Sequence, residues 1–196
     1  MIKLEVASDV VCPWCYIGKR RLEKALKLVD VPVELSWLPF QLNPGMPKDG
    51  VPRAEYRKAK FGSLERSREL DARVIAEGRS EGIEFAFDRI QRTPNTTAAH
   101  RLIALAKDQN RVVDALFRAY FEEAKDIGDA AVLAEIAAQC GVEGWPGQAP
   151  DVSSLEEEVR GMGISAVPTF IFDRRTGVSG AYPAEQLAAA IQQASR

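Results

Sequence analysis

Two cysteines near the amino terminus, Cys12 and Cys15, stand in a Cys-Pro-Trp-Cys motif. Cysteines at this spacing can perform thiol–disulfide exchange, in which one thiolate attacks a disulfide and the second thiol releases the mixed disulfide. Such a pair can also supply two of the four ligands of a zinc site. The chain offers only Cys140 and a single histidine, His100, as further soft ligands. The sequence therefore favours redox chemistry over zinc binding.

The elements predicted around the motif place Cys12 at the start of a helix. Residues 2–7 alternate between apolar and polar side chains and predict a strand, whereas residues 14–29 have apolar residues at helical spacing. Pro13 suits the first position of a helix, where an N–H group is not needed. Free N–H groups and the positive end of the helix dipole would stabilise the thiolate of Cys12. We expect Cys12 to be the exposed nucleophile and Cys15 the more buried resolving thiol.

The middle of the chain predicts helices only. A strand is expected at 33–38, followed by a loop rich in proline and glycine from 39 to 52. No convincing strand appears between residues 52 and 140. Asp129 is a predicted N-cap and Gly141 a predicted stop signal for the last helix of this region. The predicted helices span residues 53–61, 64–82, 96–108, 112–125 and 130–139.

The carboxyl-terminal part predicts a short helix, two strands and a final helix. Ser154 and Glu157 have the spacing of a capping box, with the helix ending near Met162. The two strands are expected at 169–172 and 177–180, and the closing helix at 184–194. Without the helical block, the order is βαβ followed by ββα, which is the thioredoxin arrangement.

This order predicts an α/β protein with a thioredoxin fold and an all-helical insertion. We expect residues 1–45 and 152–196 to form a discontinuous thioredoxin-like domain. Residues 46–151 would form the helical insertion domain.

The composition limits the classes of partner and the location. Among 196 residues, 26 lysines and arginines nearly balance 28 acidic residues, which argues against nucleic-acid binding. There is no apolar run long enough to span a membrane and no secretory signal at the start of the sequence. Three cysteines do not make a disulfide framework. We expect a cytoplasmic protein that does not bind membranes and acts as a monomer or homodimer.

The segment Ser8–Gly18 resembles the active-site segment of DsbA-family oxidoreductases, in particular their FrnE-like cytoplasmic branch. The resemblance continues in order along nearly the whole chain. The further matching stretches are Leu42–Pro44, Lys60–Gly62, Asn95–Thr96, Ala99–Leu102, Gly163–Phe170 and Val178–Ala181.

This resemblance implies a cis bond between Val167 and Pro168, next to the cysteine pair. The backbone of Val167 would pair with the substrate chain, and Pro168 would keep metal ions away from the sulfurs. Oxidising periplasmic members carry a histidine between the cysteines, which favours the thiolate. Here Pro13 and Trp14 stand between the cysteines, and neither can favour the thiolate as a histidine would, so we expect a milder oxidant than those members. Both residues are also predicted to contact the substrate.

The resemblance also implies contacts outside the motif. Asn95 and His100 would lie near a lid over the cysteine pair and could contact the substrate, although a histidine on a predicted helix is more often a structural group than a catalyst. Glutathione could be a reductant or ligand, held by the backbone of Val167 and by Ser179. No bound cofactor is expected beyond a redox-active disulfide. The partners would be proteins or small molecules that contain thiols or disulfides.

Several residues have two interpretations. Asp9 could carry a proton to Cys15, or it could cap the loop or the helix. Glu5 is a weaker candidate for the proton carrier, on a strand expected at the sheet edge. Cys140 is expected to be a small buried apolar residue. Four aromatic residues could form an apolar rim for a substrate or belong to the core: Trp14, Tyr16, Phe40 and Phe61.

Two other functions remain open at this stage. Chromene-carboxylate isomerases and kappa-class glutathione transferases resemble the chain in layout, but they have serine at the position of Cys12. A chaperone or adaptor without turnover could also use this fold.

Overall fold

The computed structural model describes residues 1–196. The chain divides into two compact units, which we call the sheet unit (residues 1–41 and 151–196) and the helical unit (residues 42–150). In chain order, the elements are β1 (Ile2–Ser8), α1 (Pro13–Leu26), β2 (Val33–Pro39), β3 (Val51–Pro52), α2 (Arg53–Phe61), α3 (Leu64–Ser80), β4 (Arg92–Thr93), α4 (Thr97–Leu105), α5 (Gln109–Phe121), α6 (Ala130–Cys140), α7 (Ser153–Gly161), β5 (Thr169–Phe172), β6 (Thr176–Ser179) and α8 (Ala184–Ala194).

The sheet unit is built on a four-stranded mixed sheet with the order β2-β1-β5-β6. β1 runs parallel to β2 and antiparallel to β5, and β5 forms a hairpin with β6. β1 therefore lies inside the sheet, and the prediction that Glu5 lies on an edge strand is wrong. Glu5 pairs with Arg174, with 2.8 Å between its Oε2 and Nε of the arginine. The parallel β1–β2 pair is possible because α1 supplies the crossover.

The predicted thioredoxin fold with a helical insertion is confirmed: β1, α1 and β2 share one sheet with the β5–β6 hairpin that precedes α8, and the helical unit lies between these two halves in the sequence. Helix α1 packs against α8, and α7 packs against β2. Gly18 of α1 lets the helix approach the sheet closely, because a Cβ atom at this position would lie 2.8 Å from Cγ of Pro168. Where the helix passes Pro168, position 18 therefore has room for a hydrogen atom but not for a side chain.

The helical unit has an apolar core with a cluster of aromatic rings. The rings of Phe85 and Phe87 stack at 4.7 Å, and Phe121 meets both edge-on. Asp129 caps α6 by accepting hydrogen bonds from two backbone N–H groups, and Gly141 ends the helix in the left-handed conformation, both as predicted. None of the helices is both long and apolar enough to cross a membrane.

Three local predictions are wrong. Two-residue strands, β3 and β4, pair where a loop and helices were expected, because Val51 and its partner Thr93 are 42 residues apart and leave no local pattern. The predicted capping box is absent: Ser154 lies inside α7, and the carboxylate of Asp151 accepts from the N–H of Ser153 at 3.1 Å. Cys140 is half-exposed rather than buried, because it is the last residue of α6.

Candidate active site

A tight turn connects β1 to α1 and places Cys12 at the helix start. The N–H of Cys12 donates to the carbonyl of Asp9 at 3.0 Å. Cys12 has an extended backbone (φ −93°, ψ 113°), and Pro13 begins the helix. The carbonyl of Cys12 in turn accepts from the N–H of Cys15 at 3.1 Å. No side chain caps this helix end, so the N–H groups of the first turn can act on the sulfur of Cys12.

The two thiols of the motif are both enclosed. Cys12 is 6% exposed and Cys15 is 0% exposed. Cys15 is the more buried of the two, as predicted, but the prediction that Cys12 is exposed is wrong. Only a small part of the Cys12 side chain is thus accessible to solvent. Both cysteines are free thiols in this structure.

The pKa values of the two thiols are shifted in opposite directions. The pKa of Cys12 is lowered, mainly because the Cys15 side chain donates a hydrogen bond to its sulfur, with help from the N–H groups of Cys15 and Trp14. Burial and the negative charge of Asp9 oppose this shift. Burial raises the pKa of Cys15 well above its usual range, and the neighbouring Cys12 adds to the rise. Cys12 is therefore the thiol that ionises first.

The loop before β5 brings a distant part of the chain to Cys12. The thiol of Cys12 lies 3.8 Å from the carbonyl oxygen of Val167, to which it donates. The bond between Val167 and Pro168 is cis, as expected from the resemblance, and the bond between Trp145 and Pro146 is also cis. The carbonyl of Ala166 accepts from the hydroxyl of Thr169 at 2.7 Å. A backbone acceptor thus faces the sulfur that ionises first.

A model of the DsbA-like thioredoxin domain matches residues 3–192. The chain belongs to the DsbA-like thioredoxin family. This family consists of thiol–disulfide oxidoreductases and their relatives.

Known proteins similar to this DsbA-like chain cover almost all of it. An uncharacterized Bacillus subtilis protein, YwbO, is 30% identical over 182 residues, which are 87% of this chain and 86% of the relative. The crystal structure of a probable DsbA oxidoreductase from Streptomyces coelicolor is 33% identical, covers 100% of this chain and 90% of that chain, and has a TM-score of 0.88. A putative protein disulfide isomerase from Nitrosomonas europaea is 15% identical, covers 98% and 96%, and shares the fold with a TM-score of 0.73.

The other predicted site residues of this DsbA-like protein have distinct surroundings. Trp14 exposes 38% of its surface beside Cys12, and Asp9 exposes only 1%. The hydroxyl of Ser179 lies 2.9 Å from that of Thr169, within the hairpin that follows Pro168. Within the sheet unit, Asp9 thus lies just before the motif, Trp14 lies in it, and Ser179 lies in the hairpin that follows Pro168.

Asn95 and His100 belong to the helical unit. The side chain of Asn95 donates to the carbonyl of Met46 at 2.8 Å and accepts from the N–H of Thr97 at 2.9 Å. These contacts hold the loop before α4. His100 is 4% exposed within α4. Contact of either residue with a substrate remains a prediction.

Two of the four aromatic residues, for which a rim and the core were both open, belong to the core. Tyr16 is 0% exposed and Phe40 is 4% exposed, so both belong to the core. Arg20 lies over the ring of Tyr16 and also donates to its hydroxyl at 3.0 Å. The helical period of α1 turns Tyr16 inwards while Trp14 points to solvent.

Sequence reasoning missed two buried polar residues next to the motif. Ser8 is 4% exposed and Lys19 is 1% exposed. Lys19 forms an ion pair with Glu23, one helical turn further along α1. The isolated lysine gave no signal because a lysine in a charged helical segment is usually solvated. Ser8 could have been noticed, since its place in the alternation of β1 follows the buried residues Leu4 and Val6.

Proposed function

We propose that the protein catalyses thiol–disulfide exchange with the pair Cys12 and Cys15. The observation that carries the proposal is the position of Cys12: its sulfur is at the start of α1, one turn from Cys15 and 3.8 Å from the carbonyl of Val167. This arrangement supplies a thiol that ionises readily, a second thiol within reach and a backbone acceptor for a substrate chain.

In the reducing direction, the thiolate of Cys12 attacks one sulfur of a substrate disulfide. The substrate S–S bond breaks, a mixed disulfide forms and the first substrate thiolate leaves. The thiolate of Cys15 then attacks the sulfur of Cys12, and the second substrate thiolate leaves. Two electrons pass from the dithiol to the substrate, and Cys12 and Cys15 end as a disulfide. The oxidising direction is the reverse of these steps.

The remaining site residues have supporting roles in this proposal. The backbone of Val167 pairs with the substrate, and Pro168 shields the sulfurs. Pro13 and the exposed indole of Trp14 form the surface that receives it. Asp9, 1% exposed and close enough for its charge to raise the pKa of Cys12, accepts the proton of Cys15.

Further parts of the proposal concern residues and properties farther from the cysteines. Asn95, His100 and Ser179 extend the substrate contacts, and glutathione is a candidate reductant or ligand. Residues 1–45 and 152–196 form the catalytic domain, with residues 46–151 as the helical insertion. We place the protein in the FrnE-like branch and in the cytoplasm, with Trp14 in place of histidine making it a mild oxidant.

Reduction of insulin disulfides tests the proposal directly. Wild-type protein should catalyse the reaction, and Cys12→Ser should reduce the rate to the uncatalysed level. Cys15→Ser should accumulate a mixed disulfide. Cys140→Ser is the matched control, because Cys140 is a half-exposed thiol on α6 in the helical unit. Equal activity in wild type and Cys12→Ser would refute the proposal and favour a chaperone or adaptor.

The variant Cys15→Ser distinguishes the proposed reaction from the isomerase and transferase alternative. A glutathione-dependent isomerase or transferase needs no resolving thiol, so its activity on a chromene substrate would survive Cys15→Ser. The proposed dithiol reaction would not. The reduction potential of the pair, measured against glutathione, then tests the expectation of a mild oxidant.

A further inference from the structure

Ser8, the last residue of β1, has a buried hydroxyl without a hydrogen-bond partner. The residue is 4% exposed, and its Oγ atom is fully enclosed. Its backbone is engaged, because the carbonyl accepts from the N–H of Phe40 at 3.2 Å. Enclosing a hydroxyl without a partner costs free energy, and a catalytic or redox role is one of the explanations for such groups in native proteins. The hydroxyl therefore needs an explanation in terms of its neighbours.

The buried group that a hydroxyl at this place can serve is the thiol of Cys15. Ser8 immediately precedes Asp9, whose carbonyl fixes the N–H of Cys12 at 3.0 Å. The Ser8 hydroxyl makes no full hydrogen bond to the sulfur of Cys15, but it is close enough to oppose the rise in the pKa of that thiol, and the backbone of Asp9 acts in the same direction. Cys15 is 0% exposed, so water cannot stabilise its thiolate. A buried thiolate at this position needs donors from the protein.

We propose that Ser8 is a positioning residue for the resolving step, and that its hydroxyl donates a hydrogen bond to the sulfur of Cys15 when that sulfur becomes a thiolate. The inference rests on the proposed dithiol function. In this step, Cys15 loses its proton to Asp9, and its thiolate attacks the sulfur of Cys12. The bond between Cys12 and the substrate sulfur breaks, the Cys12–Cys15 disulfide forms, and the electron pair leaves with the substrate thiolate.

The other groups around Cys15 do not replace this donor. Cys12 is bound to substrate during the resolving step, and its own charge disfavours a thiolate at Cys15 in the free enzyme. Lys19, one turn further along α1, is already paired with Glu23. Strand β5, which follows the Pro168 loop, has no ionisable side chain. The hydroxyl of Ser8 is thus a donor with no other use in this structure.

A single-turnover experiment with Ellman's reagent separates the two steps. In a Cys140→Ala background, attack by Cys12 releases one thionitrobenzoate and leaves a mixed disulfide. Attack by Cys15 on that mixed disulfide then releases a second thionitrobenzoate, so the absorbance rises in two phases. We expect Ser8→Ala to slow the second phase about tenfold, the effect of one lost hydrogen bond to a charged group, and to leave the first phase unchanged. The pH midpoint of the second phase should rise.

Two further variants distinguish this role from a structural one. Ser8→Thr keeps the hydroxyl and should restore the second phase. Thr93→Val removes another buried hydroxyl without a partner, in the helical unit, and should alter neither phase. Ser8→Ala should remain folded, because it removes an unsatisfied group.

The outcomes separate the inference from the proposed function. A second phase in Ser8→Ala with wild-type rate and pH midpoint overturns the role of Ser8, as does an equal slowing of both phases. If Ser8→Thr does not fold, the pH midpoints of Ser8→Ala and Thr93→Val decide the question. Absence of the second phase in the Cys140→Ala protein itself refutes the dithiol function, independently of Ser8.

Discussion

Replacing Gly18 with alanine would place a methyl group where α1 passes the loop before β5. The added Cβ atom would lie 2.8 Å from Cγ of Pro168 and 3.4 Å from Cζ of Phe170. The first distance is shorter than van der Waals contact between carbons, which is about 3.5–4.0 Å. The Pro168 ring is part of the backbone and cannot rotate away, so either α1 or the loop must move.

Two effects of opposite sign determine the change in stability. Alanine is the better helix former, and in a helix interior it stabilises by about 1 kcal/mol relative to glycine. Overpacking a closely packed interior typically costs about 1–3 kcal/mol. The free energy of unfolding should therefore fall by up to about 2 kcal/mol in Gly18→Ala. For a chain of this length, that fall corresponds to a melting temperature lower by about 4–8 °C.

Gly161→Ala is the matched control. Gly161 also lies in a helix, α7, and a Cβ atom there would have no neighbour within 4 Å. This variant should gain between zero and about 1 kcal/mol, because only the helix propensity changes. Urea denaturation followed by circular dichroism measures both variants against wild type. If Gly18→Ala proves as stable as Gly161→Ala, the close approach of α1 to Pro168 does not constrain this position.

Three further predictions concern ionisation. The pKa of Cys12 is lowered and that of Cys15 is raised, so iodoacetamide at neutral pH should modify Cys12 first in the reduced protein. Peptide mapping would identify the modified cysteine. Preferential modification of Cys15 would contradict the assignment of the two thiols. Because the charge of Asp9 raises the pKa of Cys12, Asp9→Asn should move the pH midpoint of Cys12 alkylation downwards, and an upward shift would refute this electrostatic effect. Burial raises the pKa of Tyr120 to about 12, so stability should fall as pH rises above the unfolded value of about 10, where only the unfolded chain has lost the proton. Tyr120→Phe should weaken this alkaline loss of stability, and it should lower the free energy of unfolding by about 1 kcal/mol because the hydrogen bond to the Arg92 carbonyl is lost. If the free energy of unfolding falls equally with alkaline pH in both proteins, the raised pKa of Tyr120 is contradicted.

The local elements of this protein could be predicted from sequence because each depends on neighbouring residues. The bounds of α2, β5 and α8 agree with the predicted ones, since a proline precedes each of them and such breakers are local signals. The helix start at Pro13 has the same origin. Patterns of neighbouring residues were therefore enough to identify the cysteine motif, its position at a helix terminus and the order of elements that defines the fold.

Contacts between distant segments decided the rest of the site. Cys12 and Val167 are 155 residues apart, and only the pairing of β1 with β5 brings the loop before β5 to the thiol. The folded chain encloses the Cys12 side chain, which the sequence placed at the surface. It also leaves the hydroxyl of Ser8 without a partner, a property that depends on every neighbour of that atom and on no pattern along the chain.

The sequence by itself thus determined which groups can react: two cysteines, one at a helix start that favours its thiolate and one a turn later. The tertiary structure decided how they differ. Complete burial makes the thiolate of Cys15 costly, whereas Cys12 receives hydrogen bonds from its own helix turn and from Cys15. The difference arises because desolvation depends on the atoms packed around a group, whereas the helix-terminal effect is already present in the local chain.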